Sequence, residues 1–244
     1  ISVIKEGIPR IVALLAFCIL LIIIYIVVNS VCIQFFGQTS LIGFIVNTAL
    51  SVFLIVIMLI LKRTEYYGLK KGRNARKYLF FAPLAVLGSV NLWNGFNINN
   101  SPDEIVFHIL TMLNIGFIEE IIFRGFLFKM MAKTNVRCAV IVSAVTFGAG
   151  HIVNLANTAD TLGVLLQISY AIAIGFAFVM IYCKTKSLMP CILTHSIFNG
   201  LSAFANEAAM TPQREILSGI LLAVIGGGYA LYLGLAVKED TEKI

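Results

Sequence analysis

The segment NIGFIEEIIFRG, residues 114–125, sets Glu119, Glu120 and Arg124 inside an otherwise apolar run. Residues four apart lie on one face of an α-helix, and acid before base is the favoured order, so Glu120 and Arg124 are expected to pair. Adjacent helical positions diverge by about 100°, so Glu119 points elsewhere and cannot share that partner equally. It is the carboxylate left over. Two further pairs have the same spacing: FGAGH puts His151 four residues after Phe147, and HSIFN puts His195 four residues before Asn199. A carboxylate, two imidazoles and an amide are the parts needed to activate a water and to stabilise an oxyanion. Glu119, His151 and His195 are equally a workable set of zinc ligands.

Each feature has a plainer reading. Three charges in an apolar run can form a buried network that only holds helices together. That accounts for Glu120 and Arg124 but leaves Glu119 unexplained. A lone histidine in an apolar segment is more often a core residue than a catalyst, and His108, with no partner at helical spacing, is read that way.

The elements that must position these residues follow from composition. Of 244 residues, 59% are hydrophobic and 12% charged, and the mean hydropathy is +0.95, far from globular averages. A hydrocarbon layer about 30 Å thick needs about 20 mostly apolar residues per helical span. Eight runs qualify: 11–33 and 41–61, both free of charge, then about 79–96, 105–128, 138–156, 162–183, 187–205 and 216–237. They are too long for barrel strands, and backbone groups in lipid must be satisfied internally, so the spans must be helices. The expected fold is an all-α, polytopic membrane helical bundle of about eight transmembrane helices. One domain is expected over residues 1–244, with a motif-bearing core at about 105–205. The first run is too long for the apolar region of a signal peptide and lacks a cleavage pattern, so it is expected to remain as a helix.

Glu119, Glu120 and Arg124 then lie at hydrocarbon depth, where ionisable side chains are costly and are functional candidates by default. At about 1.5 Å per residue from the expected cytoplasmic ends, Glu119 and His195 are roughly 12 to 14 Å deep and His151 roughly 21 Å. With tilted helices those depths allow convergence.

Lys and Arg concentrate in cytoplasmic loops. Lys62, Arg63, Lys70, Lys71, Arg73, Arg76 and Lys77 fall between spans two and three, and Lys129, Lys133 and Arg137 between four and five. Lys5, Arg10, Lys184, Lys186, Lys238 and Lys243 fall on the same side, while the opposite loops hold Arg214 with Asp103, Glu104, Asp160, Glu207 and Glu215. Both termini are therefore expected in the cytoplasm. The net charge of +6 reflects this topology, so anionic lipid headgroups are the expected neighbours and nucleic acid is not an expected partner. Cys18, Cys32, Cys138, Cys183 and Cys191 form no CxxC pair, which implies neither a disulfide framework nor a cysteine zinc site.

The ordered set Glu119-Glu120-x-x-x-Arg124, Phe147-x-x-x-His151 and His195-x-x-x-Asn199, on three separate spans, resembles the CAAX prenyl protease and bacteriocin-processing family of intramembrane proteases. The motifs cover residues 119–199, and the helix arrangement extends the resemblance more loosely over the chain. The resemblance implies an endopeptidase in a multi-pass membrane protein, in a bacterial cytoplasmic membrane, acting on a peptide or protein substrate with or without a prenyl group. It implies Glu119 as general base, His151 helping to hold the water, and His195 with Asn199 as the oxyanion-stabilising pair, with Glu120, Arg124 and Phe147 in support. It leaves the cofactor open between none and zinc, with none the expectation. Two other classes compete. A proton-coupled transporter would show paired halves with interrupted helices, which are not evident, and a non-catalytic bacteriocin-immunity or scaffold protein would more readily have lost a motif residue.

Overall fold

The computed structural model describes residues 2–37, 40–72, 81–98, 100–156 and 158–235. The expectations for the 73–78 part of the basic loop, for residues 79 and 80 of the third apolar run, and for the end of the chain with Lys238 and Lys243 lie outside these residues. Among the described residues there is no β-strand, only an isolated antiparallel bridge between Phe96 and Ala205. The helices are α1 (Ser2–Phe36), α2 (Leu41–Ile60), α3 (Ala82–Gly88), α4 (Pro102–Glu120), α5 (Lys129–Ala132), α6 (Val136–Gly150), α7 (Thr161–Thr185), α8 (Met189–Gly200) and α9 (Pro212–Leu235). A π-helical stretch, Ile121–Phe128, joins α4 to α5, so that Pro102–Ala132 runs as one helical unit of 31 residues.

Helix starts are written locally. Ser40 accepts from the Gly43 N–H at 3.0 Å, Asn135 from Cys138 at 3.0 Å and Asp160 from Gly163 at 2.9 Å, which satisfies backbone donors that the first turn leaves unpaired. At α4, Pro102 occupies the first turn, and the Ser101 N–H and Oγ donate to the Glu104 carboxylate at 2.9 and 2.6 Å. α7 ends on Lys186 in the left-handed conformation, with φ 56°.

Among the described residues six helical units are long and apolar enough to cross a membrane: Ala16–Phe36, Leu41–Ile60, Pro102–Ala132, Val136–Ala156, Thr161–Thr185 and Pro212–Leu235. The third and seventh apolar runs instead hold the short helices α3, of 7 residues, and α8, of 12. Short as they are, each buries one face: Leu84 and Leu87 of α3 and Cys191 of α8 pack with Phe178 of α7 and with Leu222 and Tyr229 of α9. The surface is inverted relative to a water-soluble protein. Ile23 and Val27 on α1, Val52 and Leu59 on α2, and Val224 and Leu231 on α9 are each more than half exposed, as expected where lipid is the solvent. The protein is an integral, multi-pass membrane protein.

The site-bearing helices meet through small residues. α4 packs on α8 and α2, and α7 on α9 and α6. At Gly116 a Cβ would collide with Ser196 of α8, so this glycine permits the approach that brings the glutamates of α4 beside α8. At Gly175 a Cβ would lie 3.0 Å from the Ala144 carbonyl of α6. The Gly175 carbonyl itself accepts from Arg124 Nη2 at 3.4 Å.

Candidate active site

Glu119 and Glu120 close α4, Arg124 lies in the π-helical stretch, Phe147 is in the last turn of α6, and His151 opens the 3-10 turn that follows it. His195 and Asn199 lie on α8. π-Helical geometry is rare and frequently sits at functional sites. Here all eight residues of the stretch are buried, and Ser143 of α6, itself fully buried, donates to the Phe123 carbonyl at 2.9 Å.

The expected pair is present. Arg124 Nη1 is 2.9 Å from Glu120 Oε1, with both side chains 0% exposed. The guanidinium carbon stands 4.0 Å from the centroid of the Phe147 ring, so Phe147 gives the cation an aromatic face as well as a carboxylate. The same ring meets His151 edge-on at 5.7 Å and His195 at 5.5 Å between centroids. One phenylalanine thus packs against the guanidinium and both imidazoles.

Glu120 is more than the partner of Arg124. Its Oε1 also lies 3.0 Å from His195 Nδ1. A carboxylate oxygen facing a guanidinium is an acceptor, so Nδ1 carries the hydrogen and donates it to Glu120. That commits the ring: Nε2 is the atom turned toward Glu119, whose Oε2 is 3.7 Å away. The other oxygen of Glu119 accepts a 2.6 Å hydrogen bond from the hydroxyl of Tyr25 on α1. Glu119 is therefore fixed at one oxygen, while the second lies, among the described residues, outside hydrogen-bond range of any side chain and faces an imidazole nitrogen.

Glu119, Tyr25, His151 and Asn199 line one cavity of ≈ 350 Å³. His195 borders an adjoining space of ≈ 50 Å³ that shares Phe147, His151 and Asn199 with the first. Glu119 side-chain exposure is 12%, against 0% for Glu120; that difference separates an accessible carboxylate from a buried one. The structure therefore brings all seven sequence-derived residues to one place, with Glu120 and Arg124 behind the cavity, Glu119, Phe147, His151 and Asn199 at its wall, and His195 at the adjoining space. His108 has a partner that helical spacing did not reveal: its Nε2 is 2.8 Å from Ser202 Oγ, and Ser202 donates to the Asn199 carbonyl at 2.6 Å.

Two features escaped the motif reading. One is Tyr25, 94 residues from the carboxylate it holds. A local signal existed: Tyr25 and Asn29 form a polar pair four apart in a run of aliphatic residues. Asn29 continues the contact network, its Oδ1 accepting from Asn47 of α2 at 2.9 Å. The other is the second bond of Glu120, to His195.

As to zinc, the donor set Glu119, His151 and His195 shares the cavity region, but among the described residues no three His, Cys, Asp or Glu side chains are grouped so as to hold a metal ion. His195 Nδ1 is taken by Glu120, which leaves a single nitrogen of that ring for any ligand role.

Residues 101–201 match a family model described as type II CAAX prenyl endopeptidase Rce1-like. No curated protein matches the chain.

Proposed function

We propose that this chain, whose residues 101–201 match the model of the type II CAAX prenyl endopeptidase Rce1-like family, is a member of that family and hydrolyses a peptide bond of a membrane-associated substrate with a water activated by Glu119. The family supports a CAAX-type intramembrane endopeptidase acting on a protein or peptide in the membrane. The observation that carries the mechanistic reading is the asymmetry of Glu119, one oxygen held by Tyr25 at 2.6 Å and the other turned into the space before His195 Nε2.

A water between Glu119 Oε2 and the scissile carbonyl gives its proton to Glu119 as its oxygen attacks the carbonyl carbon. The carbonyl oxygen becomes an oxyanion, which the Asn199 amide and His195 stabilise by hydrogen bonding, His195 doing so when Nε2 carries a proton in addition to the Nδ1–H held by Glu120, with His151 helping to hold the water. Collapse of the tetrahedral intermediate breaks the C–N bond, and the proton on Glu119 passes to the leaving amine. Water is consumed, one carboxylic acid and one amine form, and Glu119 returns to its starting state. Glu120, Arg124 and Phe147 act on His195, Glu120 holding its Nδ1–H and Phe147 packing on its ring. A substrate with a lipidated cysteine fits the reading, because the cavity is lined by residues of membrane-spanning helices, among them Tyr25 of α1, Glu119 of α4 and Tyr170 of α7.

The test is the purified protein in lipid or detergent with a peptide library, with and without a prenylated C-terminal cysteine, the cleaved bonds being mapped. Glu119→Gln keeps shape and removes the base, so the folded variant should not cleave; cleavage near the wild-type rate would eliminate Glu119 as base. Asn199→Ala and His195→Ala should each lose about 10² to 10³ in rate if they serve the oxyanion.

A further inference from the structure

Away from the active site, the turn after α2 carries Tyr66 into the middle of three cations. Arg63 Cζ is 5.2 Å from the ring centroid, Lys129 Nζ 4.7 Å and Lys133 Nζ 5.7 Å. Arg63 comes from the turn and the lysines from the far end of the helical unit that begins at Pro102, so chain proximity does not explain the convergence. Lys70 and Lys186 add to the positive field at Lys129. One aromatic ring cannot balance three unit charges. Among the described residues no carboxylate forms an ion pair with any of the three, and Glu65, the acid of this turn, is exposed.

Lys129 and Lys133, with Tyr66, border a cavity of ≈ 160 Å³ whose remaining wall is apolar, with Phe17 and Cys18 of α1, Ile57 and Leu61 at the end of α2, and Phe126 and Met130. Lysines near a helix C-terminus complement the backbone dipole, which accounts for their sign. It does not account for the apolar cavity beside them or for Arg63 on the same ring. A cationic rim over an apolar hollow, at the end of membrane helices, matches an amphiphile with an anionic head.

We propose that this is a binding site for an anionic phospholipid of the leaflet that the basic loop faces. The phosphate sits on Lys129, Lys133 and Arg63, and the start of one acyl chain enters the hollow between α1, α2 and α5. A free phosphate has no use for the hollow, and a zwitterionic lipid offers the rim no net charge. The site stands apart from the proteolytic reading, since none of its residues touches the Glu119 cavity.

The experiment uses delipidated protein in a neutral detergent and follows its thermal midpoint during titration with phosphatidylglycerol, phosphatidylcholine or inorganic phosphate. Phosphatidylglycerol should raise the midpoint saturably and less at high salt, the other two leaving it in place. Each cation near an anionic headgroup is worth about fivefold in affinity, so Lys129→Gln with Lys133→Gln should weaken phosphatidylglycerol about thirtyfold and Arg63→Gln about fivefold. Arg63 is exposed, so its variant carries the test if the double variant fails to fold. An equal shift with phosphatidylcholine, an equal shift with inorganic phosphate, or undiminished phosphatidylglycerol affinity in the folded variants would each overturn the proposal.

Discussion

Replacing Arg124 by Met, Glu120 by Gln, and both together separates what the buried ion pair does for the fold from what it does for His195. The two side chains are 0% exposed and 2.9 Å apart, so Arg124→Met alone leaves an uncompensated carboxylate inside the bundle, at a cost of about 3 to 5 kcal/mol. The guanidinium also leaves the Phe147 face it occupies at 4.0 Å, and a desolvated cation–π contact adds about 2 kcal/mol. Against a total stability of about 5 to 15 kcal/mol, that single change should sharply reduce the yield of monodisperse protein. The pair is itself imperfectly satisfied: Glu120 Oε2 and Arg124 Nε are buried with no hydrogen-bond partner, each at a cost of about 1 to 3 kcal/mol. The double variant removes both charges and the orphaned Arg124 Nε, leaving a neutral amide at 120, so it should be more stable than Arg124→Met, with a coupling energy of about 2 to 3 kcal/mol in the cycle. Activity should not follow. His195 Nδ1 would face an amide in place of a carboxylate, and the equivalent change beside a catalytic imidazole costs about 10⁴ in kcat by admitting the wrong tautomer. Unfolding in detergent measures the first quantity and cleavage of a quenched fluorescent peptide the second. A double variant no more stable than Arg124→Met, or one that regains wild-type cleavage with its stability, would refute the division of roles.

Tyr25→Phe removes the hydrogen bond to Glu119 Oε1 and little else; bonds to charged groups contribute about 1.5 to 3 kcal/mol, so kcat should fall about tenfold or more with KM nearly unchanged, and an unaltered kcat would make Tyr25 a packing residue. Activity should survive prolonged chelation, with no stoichiometric metal in the purified protein. Loss on stripping that zinc restores would instead make Glu119, His151 and His195 ligands and reopen the identity of the base. The Lys/Arg asymmetry predicts that the 62–78 loop is cytoplasmic, so a reporter that works only outside the cytoplasm should be silent when fused there, and a positive signal would invert the topology.

What could be read from the sequence was whatever repeats at helical spacing. Glu120 and Arg124, Phe147 and His151, and His195 and Asn199 are each four apart, a spacing for which an α-helix predicts a shared face, although only the last pair lies wholly within one α-helix. Similar depths for Glu119 and His195 made their meeting plausible, and the 3.7 Å approach follows from the close α4–α8 packing that Gly116 permits. Hydropathy, by contrast, counts apolar residues without saying how they are folded. Residues 79–96 and 187–205 met the window for a span, yet they hold α3 and α8, with 3-10 turns at Val90–Leu92 and Leu201–Phe204; the asparagines Asn91 and Asn94 near the end of the first are the visible hint. The π-helical stretch was equally silent, because IIFRGFLF has the composition of any membrane helix and its geometry is set by neighbours such as Ser143. Spacing also led to assigning Glu120 wholly to Arg124, since a helical pattern registers only partners on the same helix. The bond from Glu120 to His195 crosses 75 positions and that from Tyr25 to Glu119 crosses 94. These two long-range bonds make the chemical distinction between the adjacent glutamates, holding Glu120 as the carboxylate that orients an imidazole and leaving Glu119 with one oxygen to spare.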